Sequence, residues 1–415
     1  MNKFEKKLEK YAEIAVKVGI NVQKGQTLVI SASISAADFV RKVCRVAYKH
    51  GAHYVYVHWH DEQLTRIEYE LMSEEGLQEV PVWMVRGLEE MADSGAAFLY
   101  ILSPYSSDVS GIDPKRLDLA DHASNIALQS FNNRLMSMKV SWLVMASATE
   151  AWAKKVFPEL DPEQSIYHLW EAIFQAAKMN EENPTIAWEK HLARLTEIAN
   201  WLNAQQFRYL HYSSPNSKLT IELPENHVWT NALATNESGI KFISNIPTEE
   251  VYTTPLKKGV NGVINGTKSF YYDGQIISDF SFTFKEGEII AFSAKEGYEV
   301  LERILHADEG ARYIGEVAIV PHNSPISTSN LLYYHALFDE NASCHIAIGH
   351  AYTSGLKDGH LIQADRYEEA GINSSLIHID VMIGSESLQI RGERKDGSMK
   401  TIMKNGNWVD DFDKK

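Results

Sequence analysis

The chain has 415 residues, more than one hydrophobic core usually serves, which predicts two domains. With 44% hydrophobic and 23% charged residues it has the composition of an ordinary globular protein. Forty Lys plus Arg stand against 55 Asp plus Glu, a net charge of −15 that disfavours nucleic acid and anionic membranes as partners.

The opening stretch, Met1 to Lys7, leads into an amphipathic helix and does not read as a signal peptide. Phe4, Leu8, Tyr11 and Ala15 recur there at helical spacing. Thr27 to Ser31 is an apolar strand. The helix after it carries Phe39, Val43, Val46 and Ala47 on one face, and Gly51 is placed to end it. His53–His58, Ala97–Leu102 and Trp142–Met145 are further strands, with helical stretches between them. Apolar strands alternating with helices predict a largely parallel sheet covered on both faces. From Asp161 to Asn203 the pattern is helical, with Pro162 near the first position and a break around Pro184.

Beyond that point the texture changes. Lys218–Leu223 alternates, and Phe280–Phe284 followed by Lys285-Glu286-Gly287-Glu288 and Ile289–Phe292 is a hairpin signature. Asn261-Gly262, Asn265-Gly266, Asp273-Gly274, Asp396-Gly397 and Asn405-Gly406 are turn dipeptides. The reading is an α/β N-terminal domain over 1–205. A mixed α+β C-terminal domain of mostly antiparallel strands follows over 206–415. Two distant cysteines, Cys44 and Cys344, imply neither a disulfide framework nor a zinc ribbon and fit a reducing cytoplasm. No apolar run reaches membrane-spanning length, and no glycine-rich phosphate loop is present.

The chemistry lies in the second half. Leu376–Met382 reads as a buried strand, and residues two apart on a strand share a face. His378 and Asp380 therefore enter the interior side by side, where an unpaired charge is costly and a metal ion would offset the cost. Glu250 ends Ile246-Pro247-Thr248-Glu249-Glu250, Glu316 lies in Gly315-Glu316-Val317-Ala318, and His345 lies in an apolar run after Cys344. Imidazole with carboxylate suits zinc, cobalt or manganese better than calcium. Singly, some of these residues have a plainer reading, His345 least so because its neighbourhood is apolar. The His378–Asp380 pair can be a hydrogen-bonded core pair, and Glu316 can open a strand with its carboxylate in solvent.

The strings Asn245–Thr253, Gly310–Val317, Phe338–His345 and Asn373–Asp380 resemble the thermophilic (M29) metallo-aminopeptidases, and the resemblance runs along essentially the whole chain. It implies five metal ligands at Glu250, Glu316, His345, His378 and Asp380, an active-site tyrosine at Tyr352, and two divalent ions per chain, zinc, cobalt or manganese. It further implies release of N-terminal residues from peptides with a free amine. The implied assembly is a homodimer whose N-terminal domains help enclose the active sites. Two such ions would activate a water for attack on a scissile carbonyl. Glu316 or Glu250 would shuttle its proton, and Tyr352 would donate to the oxyanion.

Several neighbours stay open at this level. Glu249 faces solvent or serves as a base or amine anchor. Asp339 or Glu340 can orient a ligand histidine, or both can lie in a solvated loop. Cys344 alternates away from His345 and reads as packing. His58-Trp59-His60-Asp61 reads as a strand end, with a role in lining the cavity as the alternative, and His306 and His335 read as structural. Two competing functions remain: another two-metal hydrolase, such as a phosphoesterase or amidase, and a non-catalytic metal-stabilised binding protein. Phosphate chemistry asks for cations at the metals, and Arg312 is the only arginine adjoining a ligand string.

Overall fold

The computed structural model describes residues 3–104, 111–272 and 274–409. Met1, Asn2 and Asp273, read above as parts of a helix and a turn, lie outside the described residues. The chain forms two compact units. One comprises Met1–Glu189 and Leu233–Pro247, the other Lys190–Ala232 and Thr248–Lys415.

The first unit holds a parallel sheet of β1 (Thr27–Ser33), β2 (Tyr54–His60), β3 (Ala97–Leu102) and β4 (Trp142–Ala146) in the order β2-β1-β3-β4. Leu28, Val29 and Ile30 are consecutive in β1 and all buried, so both faces of the sheet are covered, as parallel pairing through helical crossovers requires. Val29 and Phe98 pack with Phe131 from the helix Pro114–Met136. Tyr11, in the helix Lys3–Ile14, stacks on Phe39 with ring centroids 5.2 Å apart and donates its hydroxyl to the Ala146 carbonyl at 3.1 Å. The helix Ala37–His50 ends as its sequence predicts. Gly51 takes a left-handed φ of 104° that L side chains resist, and its N–H caps the Ala47 and Tyr48 carbonyls. Pro162 and Pro184 each open a helix, Pro162–Ala176 and Pro184–Gln205.

The second unit is strand-rich. An antiparallel eight-stranded sheet runs in the order Glu288–Ser293, Ser281–Lys285, Val260–Asn265, Ser217–Glu222, Phe207–Ser214, Gln389–Arg394, Met399–Lys404, Asn407–Trp408. Ser281–Lys285 and Glu288–Ser293 form the expected hairpin. Two of the turn dipeptides are different: Asn261-Gly262 lies inside the strand Val260–Asn265, and Asn265-Gly266 at its end, where the Gly266 N–H donates to the Phe280 carbonyl. A Cβ at Gly262 would meet the Lys218 carbonyl oxygen at 2.1 Å, so that glycine serves close strand approach and not a turn. Phe207, Leu210 and Tyr212 face the core while Tyr209 and His211 alternate outward. The other sheet, β5 (Val251–Thr253), β6 (Ile314–Ile319), β7 (His345–Gly349) and β8 (His378–Met382), is antiparallel in the order β8-β7-β6-β5. Every residue of β6 and β7 is buried, and Val317, Ile319, Ile346 and Ile348 join the unit's main core.

Candidate metal centre

One face of the β5–β8 sheet gathers the expected ligands. Glu316 on β6 lies opposite Ala347 on β7, which lies opposite Asp380 on β8. One row along, Ala318 pairs with His345 and with Tyr252. Residues opposite each other or two apart share a face. His345, Glu316, His378, Asp380 and Tyr252 therefore project together. Between the ligands stand Ala318 and Ala347, whose small side chains leave room above the sheet. A bulge between Ile314 and Glu316 re-aims the glutamate. It depends on Gly315, because a Cβ there would lie 2.2 Å from the His350 carbonyl oxygen.

The side chains converge. The His345 Nε2 lies 3.3 Å from Glu250 Oε2, 3.8 Å from Glu316 Oε1 and 3.8 Å from Asp380 Oδ1. The His378 Nε2 lies 3.5 Å from Glu316 Oε2 and 3.6 Å from Asp380 Oδ1. Two groups with metal-ligand geometry result, Glu250–Glu316–His345 and Glu316–His378–Asp380, and Glu316 belongs to both. Each histidine donates its Nδ1 proton to a backbone carbonyl, His345 to Ser343 at 3.1 Å and His378 to His350 at 2.7 Å. That fixes the tautomer with the Nε2 lone pair turned into the site, the usual setting of a metal-bound histidine. Glu250 Oε2 and Asp380 Oδ1 are buried and make no protein hydrogen bond, which is costly unless a cation takes that place. The donor set fits divalent cations of the zinc, cobalt and manganese class.

The electrostatics carry the same signature. Burial pushes the Glu316 carboxyl up, the nearby Glu250 and Asp380 add to this, and His345 and His378 oppose it. Burial alone would depress both imidazoles, but the carboxylates prevail: Glu250 and Glu316 hold His345 well above its ordinary value, and Asp380 helps hold His378 at about 9. The crowded carboxylates thus favour positive charge at the two Nε2 atoms, a place that a bound cation would take.

Sequence reasoning passed over Asn341 and weighed Glu340 for a different role. Glu340 is a further acidic group in this space. Burial, then Glu250 and Asp380, push its carboxyl well above the carboxylate range. Asn341, fully buried, donates to Glu340 Oε1 at 3.2 Å and accepts the Glu249 N–H at 2.7 Å. Both residues sit in a short helical turn before β7, where no periodicity marks them. The five-residue spacing from Glu340 to His345 is the one available signal. Neither Asp339 nor Glu340 orients a ligand histidine, since backbone carbonyls do so. Asp339 instead accepts the N–H groups of Tyr333 and His335 at 2.8 and 2.9 Å.

Glu249 is buried, with its Oε2 3.7 Å from His191 Nε2, so the solvent-facing reading does not hold. Cys344 packs as expected, its Sγ donating to the Val320 carbonyl at 3.2 Å. Arg312 turns to His306 at 2.9 Å and lies 4.0 Å from Glu288. His335 is a buried histidine that burial pushes down to about 4. His58 and His60 end β2 in the first unit with rings 4.6 Å apart. Tyr352 starts the turn after β7, and its ring lies 4.3 Å from that of His378. Burial, followed by Glu316 and Asp380, raises its phenol, which is therefore a neutral donor at working pH.

Comparison with known proteins identifies the family. The family model for thermophilic metalloprotease (M29) matches residues 4–408. Aminopeptidase 2 of Geobacillus stearothermophilus is 45% identical over 99% of both chains. Aminopeptidase T of Thermus thermophilus is 37% identical over 99% of this chain and 100% of its own. The solved structure titled wild-type AmpT from Thermus thermophilus superposes with a TM-score of 0.92 over 98% of this chain and 100% of that one, at 37% identity. With its histidines and carboxylates on one sheet face and this likeness along its length, the chain belongs to the thermophilic metalloprotease (M29) family and is a metallo-aminopeptidase.

Proposed function

We propose that Glu250, Glu316, His345, His378 and Asp380 hold two divalent ions, zinc, cobalt or manganese, and that the enzyme releases N-terminal residues from peptides with a free amine. The observation that carries this reading is the pair of ligand groups sharing Glu316. Charge supports it. Glu250, Glu316, Glu340 and Asp380 supply four negative charges when ionised, and two divalent ions supply four positive ones. When bound, the ions would activate water and polarise the scissile carbonyl.

The chain's own groups do the rest. Glu316 turns one oxygen toward each histidine and would be the carboxylate shared by the two ions. Of the two glutamates read as proton carriers, Glu250 belongs to one ligand group only and would pass the proton to the leaving amine. Tyr352 donates its phenol proton to the oxyanion. The acidic surroundings suit the ammonium form of a free N-terminus. All these residues fall in 206–415, the proposed catalytic domain, and 1–205 is the proposed accessory domain. Phosphoester chemistry is disfavoured because Arg312 is turned to His306 and Glu288.

A homodimer is part of the proposal. Leu64, Ile67 and Leu71 on the helix Glu62–Leu71, with Val82 and Trp83 on the next long helix, are 50–78% exposed. So much exposed apolar surface suits a second copy. Two unpaired cysteines support a cytoplasmic location, and among the described residues no helix is long and apolar enough to cross a membrane. The test compares a dipeptide anilide bearing a free amine, its Nα-acetyl form and a chromogenic phosphate ester. Cleavage of the first alone is expected. Equal rates on both anilides, or cleavage of the ester alone, would overturn the assignment.

A further inference from the structure

The turn that carries Tyr352 is tied down from two directions. On one side it follows the ligand His378, whose Nδ1 donates to the His350 carbonyl at 2.7 Å. The His350 N–H in turn donates to Ile377 at 2.7 Å, and the Ala351 N–H donates to Asn373 at 3.0 Å. These bonds fix the chain up to residue 351. The Tyr352 carbonyl itself is held from the other side, by the hydroxyl of Thr254. Thr254 is buried and lies four residues after Glu250, at the end of β5.

Other contacts reinforce that second tie. The Tyr252 and Ser354 hydroxyls lie 3.3 Å apart, and the Val228 N–H donates to Gly355 at 2.8 Å. Gly355 packs so closely that a Cβ there would meet Thr254 Oγ1 at 2.3 Å. The segment running on from Glu250 therefore sets where the turn sits.

We propose that Thr254 is a positioning residue for the Tyr352 phenol. It fixes the turn relative to the chain that carries Glu250, so the donor keeps its place over the site without Thr254 touching substrate. The inference rests on the reading of Tyr352 as the oxyanion donor. Small displacements of an oriented group are expensive in rate, up to about 10²-fold for about 1 Å.

The test is Thr254→Val, which keeps the shape and removes the hydroxyl, assayed on a free-amine dipeptide anilide. We expect kcat to fall roughly tenfold, with KM and metal content close to wild type, and Thr254→Ser to restore most of the loss. In a Tyr352→Phe background, Thr254→Val should have no further effect on kcat, because there is no phenol left to position. A purely structural role would slow both backgrounds alike and would overturn the proposal. The partly redundant variant Ser354→Ala removes an exposed tie without threatening the fold. It should lower kcat by about threefold in wild type and leave the Tyr352→Phe enzyme unchanged. Wild-type kcat in both Thr254→Val and Ser354→Ala overturns the inference while Tyr352→Phe remains slow. Wild-type kcat in Tyr352→Phe overturns the underlying reading of the phenol instead.

Discussion

Tyr352→Phe isolates one oxygen atom. The ring, 4.3 Å from that of His378, keeps its packing in the variant. The side chain is 40% exposed, so the change leaves no cavity and stability should move by less than about 0.5 kcal/mol. The lost interaction is the donation proposed for the phenol, to a developing oxyanion. Removing one such donor typically lowers turnover by about 10²–10³-fold, roughly 2.7–4 kcal/mol of transition-state stabilisation. Because burial, followed by Glu316 and Asp380, raises the phenol's pKa, the defect should persist across the working pH range. The assay is steady-state hydrolysis of a free-amine dipeptide anilide, with metal content and thermal unfolding measured on the same preparation. A kcat within threefold of wild type at full metal content would remove Tyr352 from the mechanism.

Other perturbations probe the ligand face. His378→Ala and Asp380→Ala should each abolish nearly all turnover and weaken metal binding, and the double variant should be little worse than either, because residues acting as a unit are not additive. Turnover losses that multiply would show that the two do not share an ion. Ala347→Val places bulk between Glu316 and Asp380, in the buried row of the sheet. It should cost about 1–3 kcal/mol of stability and lower metal occupancy measured by elemental analysis. Wild-type occupancy in that variant would mean the space above Ala347 is not where the ions sit.

Much of this arrangement was legible in the sequence. Apolar runs marked β1–β4, and the alternation in Phe280–Phe292 marked a hairpin, because burial on two faces or one writes directly onto residue order. His378 and Asp380 could be placed together because both belong to one strand, where a period of two decides facing. What joins separate elements was not legible. Glu250 and Glu249 are adjacent, and alternation alone could not say that Glu249 would be buried near His191. Glu340 and Asn341 lie in a short turn with no period to read. The partners of the ligand histidines are backbone carbonyls of Ser343 and His350, which any residue type could supply. Thr254 likewise bonds the Tyr352 carbonyl across nearly a hundred residues, through a hydroxyl that nothing in the neighbouring sequence sets apart.

Counting metal per chain decides whether two ions share Glu316. The protein is stripped with a chelator, stripping is verified by elemental analysis, and zinc, cobalt or manganese is added back in steps while metal per chain and turnover on a free-amine anilide are recorded. Saturation is expected at two ions per chain, with no turnover in the stripped enzyme and recovery that follows occupancy of the Glu316 site. Full activity at a single ion per chain, or turnover that survives verified metal removal, would contradict it.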